Sequence, residues 1–396
     1  MPDPETGLPD PAAEHRQDLL DRVRWDNASP LTLSIETAVG ACRIRHGRFV
    51  GGLSDGVEVV EVDTGAARVV VLPGRGMGIW KIEAGGIRFG WLAPVSGPVH
   101  PSHVPLFDPS GLGWLEGFDE LLVRCGLESN GAPEFDEAGR LRHPLHGRIG
   151  NLPAEKLRIE YDGSTGSVDL VGEIAETRLF FKRLRLRCRL RFHAGTSEVE
   201  IRDEVINEAS SPTSVQMLYH INLGRPLLGE GAVVDVPLRE LAPKDERSAA
   251  EIDRWNAIGP PEIGYAERVY FAEPIGGTSG WTTAMLRSAE SATGLAVAFQ
   301  THTLPRFVLW KNSGSEADGY VTGIEPATNF PNARSFEASH GRVVELPPGG
   351  SATFELILRP LVDADAVATA SEEVERLRRT AETEIRRRPR EGWSPG

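Results

Sequence analysis

Arg183-Leu-Arg-Leu-Arg-Cys-Arg-Leu-Arg-Phe192, followed after His193-Ala-Gly-Thr196 by Glu198-Val-Glu-Ile-Arg-Asp-Glu-Val205, is the stretch that decides the fold. Its alternation has a strict period of two, which in an extended chain puts every arginine on one face and Leu184, Leu186, Cys188, Leu190 and Phe192 on the other. Two such segments joined by a short Gly-containing turn predict an antiparallel hairpin with a charged outer face and an apolar inner one. The register that pairs most charges sets Arg191 opposite Glu198, Arg189 opposite Glu200 and Arg185 opposite Glu204. Leu190 then meets Val199, and Cys188 meets Ile201. Asp203 falls on the apolar face opposite Leu186, where a carboxylate needs partners, and backbone N–H groups of the next turn are the expected donors. A ladder of this kind accounts for the arginine run without nucleic acid.

The same texture extends in both directions. Val57–Val62, Ala67–Leu72, Val215–Asn222, Leu295–Thr303, Phe307–Trp310 and Thr353–Leu358 read as strands, each ended by turn-forming or polar residues, and 43 glycines and 29 prolines are spread along the 396 residues. The expectation is an all-β, mainly antiparallel domain over residues 31–362. Before it lies an N-terminal arm, residues 1–30, with 1–14 loosely attached and a short helix over 14–25 carrying Leu19, Leu20 and Val23. After it, residues 363–396 form an amphipathic helix with Val367, Ala370, Val374, Leu377, Ala381 and Ile385 in its stripe, and a tail frayed beyond Arg386. Residues 241–268, rich in proline and charge, read as an excursion from the sheets.

Lys and Arg total 43 against 57 Asp and Glu, a formal charge of −14, which argues against a phosphate-backbone binder. Cys42, Cys125 and Cys188 are scattered and form no metal-binding or disulfide pattern. The first residues lack a signal-peptide plan, and no apolar run reaches membrane-span length. A cytoplasmic protein, monomeric or homodimeric, is expected, with no membrane or nucleic-acid partner.

Chemistry concentrates in three segments. Tyr219-His-Ile-Asn-Leu-Gly224 is a strand in which His220 and Asn222 share a face and Tyr219 points to the other. His143-Pro-Leu-His-Gly-Arg148 offers His146 beside a glycine and an arginine fork. Gly323-Ile-Glu-Pro-Ala-Thr-Asn329 ends a strand with Glu325, followed by Thr328 and Asn329. The 94–113 loop is long and carries His100 and His103, with Trp114, Phe118 and Glu120 beyond it, and an aromatic ring beside carboxylates suits the apolar face of a sugar. Gly74-Arg75-Gly76-Met-Gly78 lacks the ending of a phosphate loop and reads as a tight turn aiming Arg75 at a ligand.

These motifs, in this order, resemble the aldose 1-epimerase or galactose mutarotase-like superfamily, and within it a bacterial branch rather than the galactose mutarotases themselves. The resemblance implies a large antiparallel β-sandwich with a sugar in its concave face and no cofactor or metal. It implies Glu325 as general base on the anomeric hydroxyl, His220 as general acid towards the ring oxygen and His146 as the assisting histidine. Substrate contacts are expected from Arg75, Arg148, Asn222, Lys311, Asn329 and Trp114, and the three cations suggest an acidic or phosphorylated sugar. The asparagine-arginine pair usual near the N-terminus of galactose mutarotases is absent. Two other readings stand beside this one: a non-catalytic carbohydrate-binding or sensory protein on the same fold, and a metal-dependent sugar isomerase using His100, His103, His143 or His146.

Overall fold

A computed structural model of the chain describes residues 19–395, apart from positions 38 and 96. Two antiparallel sheets pack face to face. The smaller runs, in spatial order, Ala154–Asp162, Ser167–Arg178, Lys182–His193, Val199–Asn207, Ser351–Leu361, Gly294–Gln300, Trp281–Arg287 and Val233–Asp235. The centre of the larger runs Gly78–Ala84, Leu122–Leu127, Thr213–Leu223, Tyr320–Ala327, Arg306–Ser313, Arg268–Pro274 and Leu238–Pro243. Leu186, Leu190, Ile201 and Leu356 from the first sheet meet Tyr219, Ile221, Leu309 and Ile324 from the second in one buried core. Each such leucine or isoleucine contributes about 1.5–3 kcal/mol by leaving water. The alternating segments form strands because only that conformation buries one face and leaves the other wet.

The hairpin forms with the expected faces but a register displaced by two residues. Arg191 lies opposite Glu200, Arg187 opposite Glu204, Leu190 opposite Ile201 and Cys188 opposite Asp203. The arginines draw carboxylates from both flanking strands, not from one: Arg191 Nε donates to Asp169 Oδ1 at 2.7 Å, and Arg187 Nη1 to Glu204 Oε2 at 2.9 Å. Asp203 is fully buried, but its partners are not turn amides. Arg124 reaches across from the facing sheet, with Nε 2.6 Å from Oδ2 and Nη2 3.2 Å from Oδ1, and the Tyr219 hydroxyl donates to Oδ2 at 2.8 Å. A side chain from the opposite layer supplies what the local turn does not.

Both ends depart from expectation. The predicted helix over 14–25 lies partly outside the described residues; within them, Leu19–Arg22 form one 3-10 turn and Val23–Trp25 a strand against Gly47–Phe49. The C-terminal helix spans Ala364–Arg378, its first turn capped by Asp363, whose carboxylate accepts from the Ala366 N–H at 2.8 Å. It buries Val367, Ala370 and Val374, but stops before Ala381 and Ile385. Beyond it, Glu384–Ile385 pair in parallel with Glu240–Leu241. Arg386 and Arg390 both bind the Glu240 carboxylate, and Trp393 is buried against Phe330 with ring centroids 4.7 Å apart, so the tail is docked and not frayed. Another helical turn would have buried only Ala381 and Ile385, whereas the sheet edge offers backbone partners and a carboxylate. Among the described residues, no helix is long and apolar enough to cross a membrane.

Candidate active site

Cross-strand pairs share a face, so the sheet dictates which side chains can meet. Glu325 is paired with Val308, and Gly323 with both Trp310 and Asn222. His220, Asn222, Val308, Trp310 and Glu325 therefore project from the outer face of the large sheet, away from the core, while Tyr219, Leu309, Lys311 and Ile324 point inwards. The outer face is covered by the 101–118 loop and the Pro144–Gly147 turn. Between them lies a cavity of about 260 Å³ lined by Trp114, Phe118, His146, His220, Trp310 and Glu325, with Lys244 and Glu267 towards its rim.

Glu325 Oε1 lies 3.4 Å from His220 Nε2 and has no hydrogen-bond partner among the described residues. Gly323 makes that approach possible, since a Cβ there would stand 2.6 Å from Glu325 Oε1 and 2.9 Å from His220 Cε1. The other imidazole nitrogen of His220, Nδ1, faces Asn222 Oδ1 at 2.5 Å. The Asn222 amide nitrogen donates to the carbonyls of Glu120 and His220, which fixes its oxygen as the acceptor. Nδ1 therefore carries the hydrogen, and Nε2 is free to exchange a proton in the cavity.

His146 stands with its ring centroid 5.3 Å from that of His220 and 4.6 Å from that of Trp114. Its Nδ1 donates to the Asn130 carbonyl at 2.9 Å, so its Nε2 is also the free nitrogen. The turn that presents it is backbone-limited: His146 and Gly147 have φ of 56° and 73°, and a Cβ on Gly147 would meet the Ser129 and Gly126 carbonyl oxygens at 2.1 and 2.4 Å. Only glycine fits there.

Burial governs the electrostatics. Loss of water pushes the Glu325 carboxyl well above the usual carboxylate range, aided by the negative charge of Glu267 and opposed by Lys244. The same loss, with His146 alongside, holds the His220 imidazole well below its ordinary value, and burial lowers His146 to about 4. All three groups thereby favour their uncharged forms. One proton then rests on Glu325, and transfer to Nε2 would create a buried ion pair.

Of the nine site residues expected from the sequence, the structure brings together Glu325, His220, His146 and Trp114, and Phe118, noted there beside Trp114, lines the same cavity. Asn222 joins them by holding His220. The remaining four lie elsewhere. Arg75 is buried beneath the cavity wall, with Nε 2.5 Å from Glu120 Oε1 and donors to the carbonyls of Val99 and Gly117; a guanidinium so engaged ties the aromatic loop to the sheet and has no reach to a ligand. Lys311 has the wrong parity, and its Nζ donates to the Arg254 carbonyl at 3.1 Å inside the sandwich. Asn329 exchanges amide hydrogen bonds of 2.9 Å with Asn130, and so steadies the residue that holds His146 without lining the cavity. Arg148 faces a separate groove on the far side of the same turn.

Trp310, Lys244 and Glu267 were missed. Trp310 could have been found from the parity of the 306–313 strand against Glu325, since its indole N–H, donating to Glu267 Oε2 at 2.7 Å, belongs to the same face. Lys244 and Glu267 bracket the excursion between paired strands, and no local signal marks them. The four histidines considered for a metal do not converge: His100 and His103 belong to the 101–103 turn, and His143 faces Glu128 at 3.8 Å. Among the described residues no three His, Cys, Asp or Glu side chains are grouped to hold an ion.

A family described as a domain of unknown function, DUF4432, matches residues 54–359. No curated protein matches the chain. A solved structure from Klebsiella pneumoniae, provisionally named an aldose 1-epimerase, is 30% identical over 95% of this chain and 97% of its own, with a TM-score of 0.86. A galactose mutarotase-like protein from Clostridium acetobutylicum and a galactose 1-epimerase from Lactobacillus acidophilus, both 13% identical, each cover 80% of this chain and 98% of their own; their TM-scores are 0.56 and 0.53, a likeness of fold. The chain therefore belongs to the DUF4432 family, and its fold is that of the aldose 1-epimerase and galactose mutarotase-like proteins.

Proposed function

We propose that residues 31–362 form an isomerase unit that interconverts the anomers of an aldose by opening and reclosing its ring. The observation that carries this reading is the buried pairing of two proton-exchanging atoms, Glu325 Oε1 and His220 Nε2, 3.4 Å apart in a cavity with aromatic walls. Opening a cyclic hemiacetal takes a proton from the anomeric hydroxyl and gives one to the ring oxygen. A carboxyl and an imidazole sharing one proton can do both in a single step.

In the assignment the resemblance suggests, sugar binding draws the shared proton to His220 Nε2, with the sugar's hydroxyls and Lys244 stabilising the Glu325 carboxylate. Glu325 takes the proton from O1 as His220 gives one to O5. The C1–O5 bond breaks, and the pair becomes uncharged. Rotation about C1–C2 and the reverse transfer yield the other anomer and restore the pair. His146, with Nε2 free and its ring held by Asn130, accepts a hydrogen bond from a sugar hydroxyl. Trp114, Phe118 and Trp310 stack on the apolar face of the ring.

The acidic-sugar expectation rested on Arg75, Arg148 and Lys311, none of which lines the cavity. Lys244 is offset by Glu267, so an uncharged aldose suits the site better. Anomer exchange measured by NMR over a panel of aldoses tests the proposal. Acceleration with at least one sugar, lost on replacing His220, is expected; tight binding without acceleration at any pH would leave a carbohydrate-binding protein and sink the catalytic reading.

A further inference from the structure

On the other side of the Pro144–Arg148 turn, away from His146, lies a groove lined by Phe107, Ser129, Arg142, His143, Arg148 and the Arg178–Lys182 hairpin end. Its lining holds four cationic side chains and two carboxylates, Glu128 and Glu176, in a chain whose formal charge is −14. Lys182 engages both carboxylates, and Arg142 approaches Glu134 at 3.8 Å. Among the described residues, the two remaining arginines have no carboxylate of their own. Arg148 lies 5.9 Å over the Phe107 ring and Arg178 4.4 Å over the Phe181 ring, which orients their planes and leaves their N–H edges open. A second observation is independent of charge: Ser129 is 1% exposed, and its hydroxyl has no hydrogen-bond partner among the described residues. A buried unpaired hydroxyl in the wall of a groove that also bears two unpaired guanidinium forks is an incomplete set of hydrogen bonds.

We propose that this groove binds a phosphate group, either as inorganic phosphate or as the phosphate of a monoester, with Arg148 and Arg178 as its charged donors and Ser129 Oγ as a neutral one. Carboxylate ligands would satisfy one fork; the tetrahedral, doubly charged phosphate presents enough acceptors for two forks and a hydroxyl. The site does not depend on the chemistry proposed for the cavity. It shares with the cavity only the Pro144–Arg148 turn, so a phosphate held by Arg148 would brace the backbone that presents His146.

Titration calorimetry with inorganic phosphate at fixed ionic strength tests the site on the whole chain. Wild type is expected to bind one equivalent, and Arg178→Ala, which alters only an exposed side chain at a hairpin end, to weaken binding roughly tenfold or more, as does Arg148→Ala. Arg148→Lys retains charge without the fork and is expected to fall between. A phosphorylated aldose distinguishes the two sources of the group: if it binds as phosphate does and is indifferent to Trp310→Ala, the phosphate arrives on its own molecule; if Trp310→Ala weakens it as well, one sugar phosphate spans both sites. No heat from phosphate with wild type, or equal affinity in wild type and Arg178→Ala, would overturn the proposal.

Discussion

Glu325→Gln separates two effects of one buried carboxyl. The side chain keeps its shape while losing both its proton chemistry and its titration. Because burial raises the folded-state pKa of Glu325 above its unfolded value of about 4.3, the folded protein binds that proton more tightly than the unfolded chain does. Stability from this group is complete below about pH 4.3 and is lost as pH rises towards the folded value, with a limiting slope of about 1.4 kcal/mol per pH unit. For 396 residues at about 2.1 cal/mol/K each, the entropy of unfolding is roughly 0.8 kcal/mol/K, so the slope corresponds to about 1.7 °C per pH unit. Melting curves of both proteins should therefore diverge as pH rises from about 4.5, the variant gaining on wild type by roughly 1–2 °C for each unit up to the folded-state value. His220 titrates in the opposite sense, but it is present in both proteins and cancels to first order. In the exchange assay the same variant should lose about 10²- to 10⁴-fold in turnover. A flat difference between the melting curves would mean that Glu325 is ionised in the folded state and that burial does not dominate it. Turnover close to wild type would remove Glu325 from the reaction.

Other consequences are open to direct measurement. Gly323→Ala would place a methyl 2.6 Å from Glu325 Oε1, forcing the pair apart; turnover should drop about 100-fold with a modest loss of Tm, and an unchanged rate would show that the Glu325–His220 contact is dispensable. The acid limb of the rate profile should lie near pH 4, where His146 gains its proton, and a limb at about 6.5 would show imidazoles behaving as exposed groups. Asp203→Ala leaves Arg124 charged and buried, which should cost about 3–5 kcal/mol and lower Tm by roughly 4–6 °C. A loss of under about 1 kcal/mol would mean that water or another acceptor replaces the carboxylate.

The strand pattern was legible because burial writes itself into alternation: Leu184 to Phe192 can share a face only in an extended chain. His220 with Asn222, and Glu325 before its proline, were legible for the same reason, each being fixed by position along one strand. What the sequence could not disclose was pairing between strands. Lys311 is named as a cation close in sequence to the Glu325 strand, whereas the cross-strand register sends the even-numbered side chains of its strand, Trp310 among them, to the cavity. Arg75 and Arg148 were assigned by type, as forks beside glycines, but their partners Glu120 and Phe107 come from loops whose paths have no periodic signature. The docked tail escaped notice because Trp393 packs on Phe330, a contact with no local precursor.

The Arg124–Asp203 tie has a meaning for folding beyond stability. A period-two pattern looks the same after a slip of two residues, so alternation alone allows the arginine hairpin two registers, both with the leucines on the inner face and charge on the wet side. A chain that zips first in the slipped register sets Asp203 beside Leu186 and out of line with the guanidinium of the other sheet. That state is compact and well patterned, yet it strands two opposite charges in the interior when the layers close. The bridge thus selects the register: closing the layers over the slipped hairpin would leave two unpaired buried charges, at a cost of about 3–5 kcal/mol.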